Sequence, residues 1–261
     1  MDGPLSAEQV ERYHEEGYLV VEEAFDAEEV AEMREECDWL LELGVNAALA
    51  TGRDAGRATL ATAADAEEWM VRMFKPVNDL SLVFAEAMTD ERVEGAIHQL
   101  LDEEPALMEE KLNYKQPIPP VEGLAVREDD DGFPVHNDWT YYREQGYPQS
   151  TLSTALLVDD FTPENGPLHV WPGTHTEHIE HEPTPAEGAG RRVPPGEVDY
   201  DGGRDLLAPA GSVVFFNSCL VHSSRPNTSG DPRRLMIWSH YPDSAEGLFA
   251  GERMAPKRLR E

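Results

Sequence analysis

The 261-residue sequence has only two cysteines, Cys37 and Cys219. That is too few for a disulfide framework and suits a reducing cytoplasm. No apolar run approaches the roughly 18 residues that a membrane-spanning helix needs. The opening Met1-Asp2-Gly3-Pro4-Leu5 has neither a basic n-region nor an apolar h-region, so no signal peptide is expected. Basic residues are scarce: 21 Lys and Arg stand against 52 Asp and Glu, a formal net charge of -31. A surface of that sign repels nucleic acid and anionic membranes, so neither is expected as a partner. It fits a proteome adapted to high salt, where the Debye length falls to about 3 Å at 1 M and self-repulsion is screened.

Hydrophobic residues make up 40% of the chain, enough for a core, and their periodic spacing separates the acidic blocks from disorder. Ser6-Ala7-Glu8-Gln9 and Asp26-Ala27-Glu28-Glu29 are capping boxes that predict two helices, the first stopped by Gly17. Between them Tyr18-Leu19-Val20-Val21 is strand-like. Cys37 lies on the apolar stripe of the second helix and reads as core. Residues 44–66 carry little pattern and are expected as loop or weak helix. Asn78 to Leu101 reads as two helices broken near Thr89-Asp90, with His98 in a structural role.

From Leu107 the character is β. Strands are predicted at Lys111–Lys115, Thr151–Val158, Leu168–Trp171, Ser212–Phe216 and Arg233–Tyr241, with a turn at Asn165-Gly166. Residues 116–132 and 183–203 are Pro- and Gly-rich or acidic loops, the second a candidate lid, and the basic tail from Gly251 is a mobile end. Helices first and short strands afterwards predict an α+β fold with a β-sandwich or barrel core. The expectation is one domain over 1–261, helical to about 105, with its β core over about 107–245.

Four patterns could carry chemistry. In Phe133-Pro134-Val135-His136-Asn137-Asp138, the imidazole and the carboxylate share a face if the backbone is extended. With His222 they would make the two-His, one-carboxylate facial triad of non-haem Fe(II) oxygenases, which leaves positions for co-substrate and O2. A polar loop with a surface histidine gives the same short motif, so the rest of the chain must decide. Lys111, Asn113 and Lys115 share one face, which is either the lining of a polar cavity or the solvent side of an edge strand. Trp139, Tyr141 and Tyr142 either wall a substrate pocket or serve as core aromatics. His175, His178 and His181 have a zinc-like spacing, but Pro172 and Pro183 leave them little helix. Cys219, Trp238 and His240 read as packing residues.

In order and spacing, four blocks resemble the phytanoyl-CoA dioxygenase family of Fe(II)/2-oxoglutarate oxygenases, ectoine hydroxylase-like in part. They are Lys111–Lys115, His136-Asn137-Asp138, Glu164-Asn165-Gly166-Pro167-Leu168 through His175, and Gly211 through Arg233. The resemblance implies a double-stranded β-helix (jelly roll, cupin-like) with N-terminal helices around it. It places His136, Asp138 and His222 on the iron ligands and Arg233, eleven positions beyond His222, on the 2-oxoglutarate anchor. Ser153, Asn113 and Lys115 fall on co-substrate contacts, and Ser224 on a serine near the distal carboxylate. Trp139, Tyr141 and Tyr142 become candidates for the substrate wall.

The resemblance implies Fe(II), 2-oxoglutarate and O2 as the reaction's requirements, with succinate and CO2 released as a small organic substrate is hydroxylated. Related halogenases have a small residue in place of the carboxylate, so Asp138 favours hydroxylation. There are two departures. Ser223 follows the distal histidine where the family has glycine, and residues 139–149 match ectoine hydroxylase only loosely, which opens the choice of substrate. A cupin-like metal-binding or sensor protein without turnover is the alternative of another class. Arg233 and Ser153 favour the oxygenase, since a metal binder needs no dicarboxylate anchor.

Overall fold

A computed structural model describes residues 3–51, 58–62, 69–115, 132–185 and 190–245. The expected loop 116–132 and the tail from Gly251 therefore lie almost wholly outside the described residues.

Helix α1 spans Ala7–Glu16. The Ser6 hydroxyl accepts from the Gln9 backbone and the Gln9 side chain accepts from the Ser6 backbone, which closes the expected capping box. Gly17 ends the helix at φ 81°, and a Cβ there would stand 2.4 Å from the His175 ring, so both backbone and space require glycine. Strand β1 (Tyr18–Val21) follows, then α2 (Ala27–Thr51) behind the reciprocal Asp26–Glu29 box. Helix α2 runs past Gly44, because Ala47 to Ala50 are strong helix formers. The loop or weak helix expected over 44–66 is thus helix to Thr51 and strand β2 at Ala58–Thr62, which pairs with β3 (Trp69–Phe74). Helices α3 (Leu82–Thr89) and α4 (Ala96–Leu101) flank a π-helical turn, Glu91–Gly95, and the expected break falls at Asp90.

The remaining elements are β4 (Pro105–Lys115), β5 (Phe133–His136), the short helix α5 (Trp139–Tyr142), β6 (Leu152–Leu157) and β7 (Leu168–Val170). After them come β8 (Glu182–Pro183), β9 (Arg191–Arg192), β10 (Arg204–Asp205), β11 (Val213–Asn217), β12 (His222–Ser224) and β13 (Arg233–Pro242). They form a seven-stranded sheet in the order β1-β11-β6-β13-β4-β3-β2, a four-stranded sheet in the order β10-β7-β12-β5, and the small β8-β9 pair. Pairing among these strands is antiparallel throughout. The architecture is the α+β jelly roll that the sequence predicts, open rather than a closed barrel. The first 105 residues supply three strands of the larger sheet as well as the helices.

Alternation sorts the larger sheet into two faces. Leu112, Leu156, Phe215, Met236 and Trp238 pack against Tyr13, Met33, Leu40, Phe84 and Ile97 of the helical layer. Ala155, Leu157, Val214, Phe216, Leu235 and Ile237 face Leu168 and Val170 of the smaller sheet. The second face is the interior of the jelly roll, and it is where the polar exceptions collect. The candidate lid 183–203 is described except for 186–189. Its β8-β9 pair is held near α5 by Arg143–Glu180 and Arg191–Glu144 ion pairs.

Candidate metal centre

His136 closes β5, and His222 opens β12 directly opposite it in the antiparallel register. The two rings lie 4.3 Å apart between centroids. The Nδ1 of His136 is 2.7 Å from the Pro134 carbonyl, and that of His222 is 3.0 Å from the Leu220 carbonyl. A carbonyl only accepts, so each Nδ1 donates to it, and each Nε2 is the ring atom turned to Asp138. Asp138 Oδ1 stands 3.7 Å from the first Nε2 and 3.9 Å from the second. Ligand atoms about 2.1 Å from one ion are at most about 4.2 Å apart, and both separations fall inside that limit. Among the described residues this is the one group of His, Cys, Asp and Glu gathered closely enough to hold a metal. Two imidazoles and a carboxylate suit Fe(II).

The electrostatics agree with that donor set. Burial, and then the neighbouring His136, push His222 down to about 4, so it is neutral near pH 7. Burial alone would raise the Asp138 carboxyl. The nearby His222, His136 and the Lys111 cation outweigh burial and hold it well below the usual carboxylate range.

One expectation holds for a different reason from the one that raised it. The strand stops at His136, and Asp138 sits at φ -68°, ψ -32°, at the start of α5. His136 and Asp138 converge through a turn and not along an extended backbone. That turn is pinned: the Trp139 amide donates to Ser218, Thr140 to the Asn137 side chain, and the Asn137 amide to His181 Nε2 at 2.9 Å. His181 in turn faces the Ile179 carbonyl and the Thr140 hydroxyl with Nδ1, so its tautomer is fixed. Its place is a support for the turn that carries His136 and Asp138, and its only sequence signal was a zinc-like spacing. His175 contacts the His14 carbonyl, and His178 stacks 5.8 Å from His181, so the three histidines do not converge on a metal.

The other predicted residues line the interior. Strand β4 lies between β13 and β3, so Lys111, Asn113 and Lys115 are not on a solvent-facing edge. Arg233 pairs with Lys115 and Leu235 with Asn113, which puts all of them on the inner face. Arg233 is 3% exposed, with its guanidinium 5.2 Å from the Phe161 ring centroid. Lys115 is buried against the Arg225 carbonyl and Phe133. Asn113 is buried with its Oδ1 lacking a hydrogen-bond partner among the described residues. Gly166 of the expected turn packs against the same place, where a Cβ would meet the Arg225 carbonyl at 2.0 Å.

Ser224 is buried two residues past His222 on β12. Ser153 lies beside the carboxylate: its hydroxyl is 3.5 Å from Asp138 Oδ2 and 3.0 Å from Ser239 Oγ, which in turn is 3.4 Å from the Tyr142 hydroxyl. Ser239 and this hydroxyl row carried no signal in the sequence. Of the aromatic trio, Tyr142 is buried toward that row. Tyr141 is half-exposed, with its ring 6.3 Å from His136 and its hydroxyl accepting from the Arg191 amide. Trp139 packs on His178 and Arg143 and donates to the Tyr147 carbonyl.

Residues 13–235 match the phytanoyl-CoA dioxygenase family. The chain belongs to that family. It is 30% identical to the ectoine dioxygenase of Halomonas elongata, over 99% of this chain and 77% of the relative. The same enzyme from Stutzerimonas stutzeri is 27% identical, over 100% of this chain and 85% of the relative. The crystal structure of EctD from S. alaskensis with 2-oxoglutarate and 5-hydroxyectoine superposes with a TM-score of 0.73 at 25% identity, covering 100% of this chain and 83% of that one. The family and the jelly-roll fold both agree with the sequence resemblance.

Proposed function

We propose that the whole chain works as one Fe(II)- and 2-oxoglutarate-dependent dioxygenase that hydroxylates a small organic substrate and releases succinate and CO2. The observation that carries this reading is the joining of two features on facing strands: the His136–Asp138–His222 cluster and the inward, buried Arg233. In this reading His136, Asp138 and His222 hold the iron. The Arg233 fork pairs with the far carboxylate of 2-oxoglutarate, with Asn113, Lys115 and Ser224 around it. When bound, the iron supplies the oxidative chemistry. The protein orients the reactants and excludes water. Ser153, backed by Ser239, holds Asp138 Oδ2, so that Oδ1 faces the imidazoles, and Trp139, Tyr141 and Tyr142 border the space left for substrate. Ectoine is the first compound to test, because the relatives reported above are named for acting on it.

Replacing Asp138 by glycine removes the one anionic donor and the anchor of the hydroxyl row. Asp138→Gly is expected to lower hydroxylated product at least about a hundredfold. Hydroxylation at the native rate, measured by mass spectrometry, would show that Asp138 is not an essential ligand.

The acidity belongs to a cytoplasmic enzyme of a high-salt habitat. With a formal net charge of -31, the folded state repels itself when unscreened. Its melting temperature should therefore rise between low salt and molar KCl. A melting temperature that does not move contradicts this assignment.

A further inference from the structure

His181 lies outside the ligand set and uses both of its ring nitrogens beside it. Its Nε2 accepts from the Asn137 backbone amide at 2.9 Å, a contact that joins residues 44 positions apart. A backbone N–H only donates, so this Nε2 carries a lone pair and Nδ1 carries the proton. That proton faces the Ile179 carbonyl at 2.7 Å and the Thr140 hydroxyl at 2.8 Å. Thr140 is tied a second time, since its amide donates to the Asn137 side chain at 3.1 Å. Asn137 and Thr140 are both fully buried. The residues around His181 hold the ring in place. Arg143 donates to Glu180 through both terminal nitrogens at 2.7 Å. His178 stacks parallel to His181 at 5.8 Å and meets the Trp139 ring edge-on at 4.8 Å. The segment His178–His181 thus grips Asn137, Trp139, Thr140 and Arg143.

The contact matters because of the peptide it holds. The Asn137 N–H belongs to the plane that joins His136 to Asn137. Between the two ligand residues the backbone turns softly only through ψ of His136, both dihedrals of Asn137 and φ of Asp138. Holding that N–H fixes the plane between the first two of these. The angle at which Asp138 approaches the His136 ring follows from it. Asp138 Oδ1 stands 3.7 Å from His136 Nε2 and 3.9 Å from His222 Nε2, near the about 4.2 Å limit for two ligands of one ion, so the carboxylate has little slack to lose. A buried amide without an acceptor would turn toward another partner and carry the plane with it.

We propose that His181 is a positioning residue of the metal centre: by accepting from the Asn137 amide, it sets the angle at which His136 and Asp138 meet one divalent ion. This rests on the His136–Asp138–His222 centre of the oxygenase reading and adds a residue that acts on it through the backbone.

The test uses two side chains that each copy one ring nitrogen. Glutamine brings its Oε1 to the place of Nε2 and can accept from Asn137. Asparagine brings its amide to the place of Nδ1 and leaves the Asn137 amide without an acceptor. Wild type, His181→Gln and His181→Asn are prepared metal-free as full chains and titrated with Co(II), read by its visible absorption. His181→Asn is expected to bind Co(II) about tenfold or more weaker, with an altered band shape, as when a metal ligand loses an outer partner. His181→Gln should restore most of the affinity and the wild-type band. Metal-free melting is recorded for each protein. A residue that only stabilises the fold would lower the melting temperature and leave the Co(II) band as it was. A folded His181→Asn with the affinity and band of wild type overturns the proposal. So does a His181→Gln that fails to fold or that loses both. Should His181→Asn fail to fold, His181→Gln decides in its place. Wild-type protein that binds no Co(II) defeats the metal-centre reading and this inference with it. Co(II) binding that is indifferent to residue 181 defeats this inference alone.

Discussion

His222→Ala is expected to release no measurable succinate while remaining folded. The residue opens β12, where its backbone pairs with β5 on one side and β7 on the other, and alanine keeps that ladder. What disappears is one of two neutral Nε2 donors that face Asp138. A site left with one imidazole and one carboxylate holds Fe(II) poorly and no longer fixes three ligands on one face. The structural loss is a buried imidazole and its hydrogen bond to the Leu220 carbonyl, roughly 1–3 kcal/mol for a polar core truncation. A cooperative melt, with iron content per protein measured after dialysis, separates loss of metal from loss of fold. Full activity in this variant would remove His222 from the metal centre.

Arg233 and Arg234 are adjacent on β13 and point to opposite faces, so they should fail in different ways. Arg233 faces the interior. Arg233→Lys keeps the charge and loses the planar fork, so the apparent 2-oxoglutarate KM should rise about tenfold or more, the equivalent of roughly 1.5–3 kcal/mol. Arg234 faces the helical layer. It grips Asp159 through Nε at 2.8 Å and Nη2 at 2.9 Å, and reaches Asp38 on α2 at 2.7 Å. Arg234→Lys cannot make all three bonds and leaves Asp159 short of partners in a buried place. It should cost about 1–3 kcal/mol of stability and lower the melting temperature by several degrees, with the 2-oxoglutarate KM unmoved. A KM effect that appears in Arg234→Lys and not in Arg233→Lys means that the last strand is read one residue out of register.

The sequence made visible what depends on local rules. The two capping boxes, the Gly17 stop, the break at Asp90 and the apolar run of β13 are short-range chemistry, and the structure follows them. The faces of β4 were legible as a period but not as a direction. Whether Lys111, Asn113 and Lys115 faced solvent depended on β3 covering the edge, and β3 gains its place by pairing, which no local signal states. The same holds for β2. Asp138 shows the limit most clearly: its pairing with His136 was legible, while the helical turn that brings them together is set by Ser218, Asn137 and His181 from three separate parts of the chain. Ser153, expected beside the co-substrate, lies 3.5 Å from the Asp138 carboxylate and 3.0 Å from Ser239, a partner that the sequence did not suggest. A serine offers too little pattern for its partner to be read before the strands are placed.

Consumption of 2-oxoglutarate at this centre is what separates an oxygenase from a jelly roll that only binds metal. Its most direct test follows carboxyl-labelled 2-oxoglutarate in the purified protein with Fe(II) and O2, against controls lacking iron and lacking oxygen. With the label on the carboxyl next to the keto group, labelled CO2 and unlabelled succinate are expected in equal amounts, both absent from each control. A folded, iron-loaded protein that releases neither, with substrate candidates present or absent, would contradict it and leave a jelly roll that binds metal without turnover.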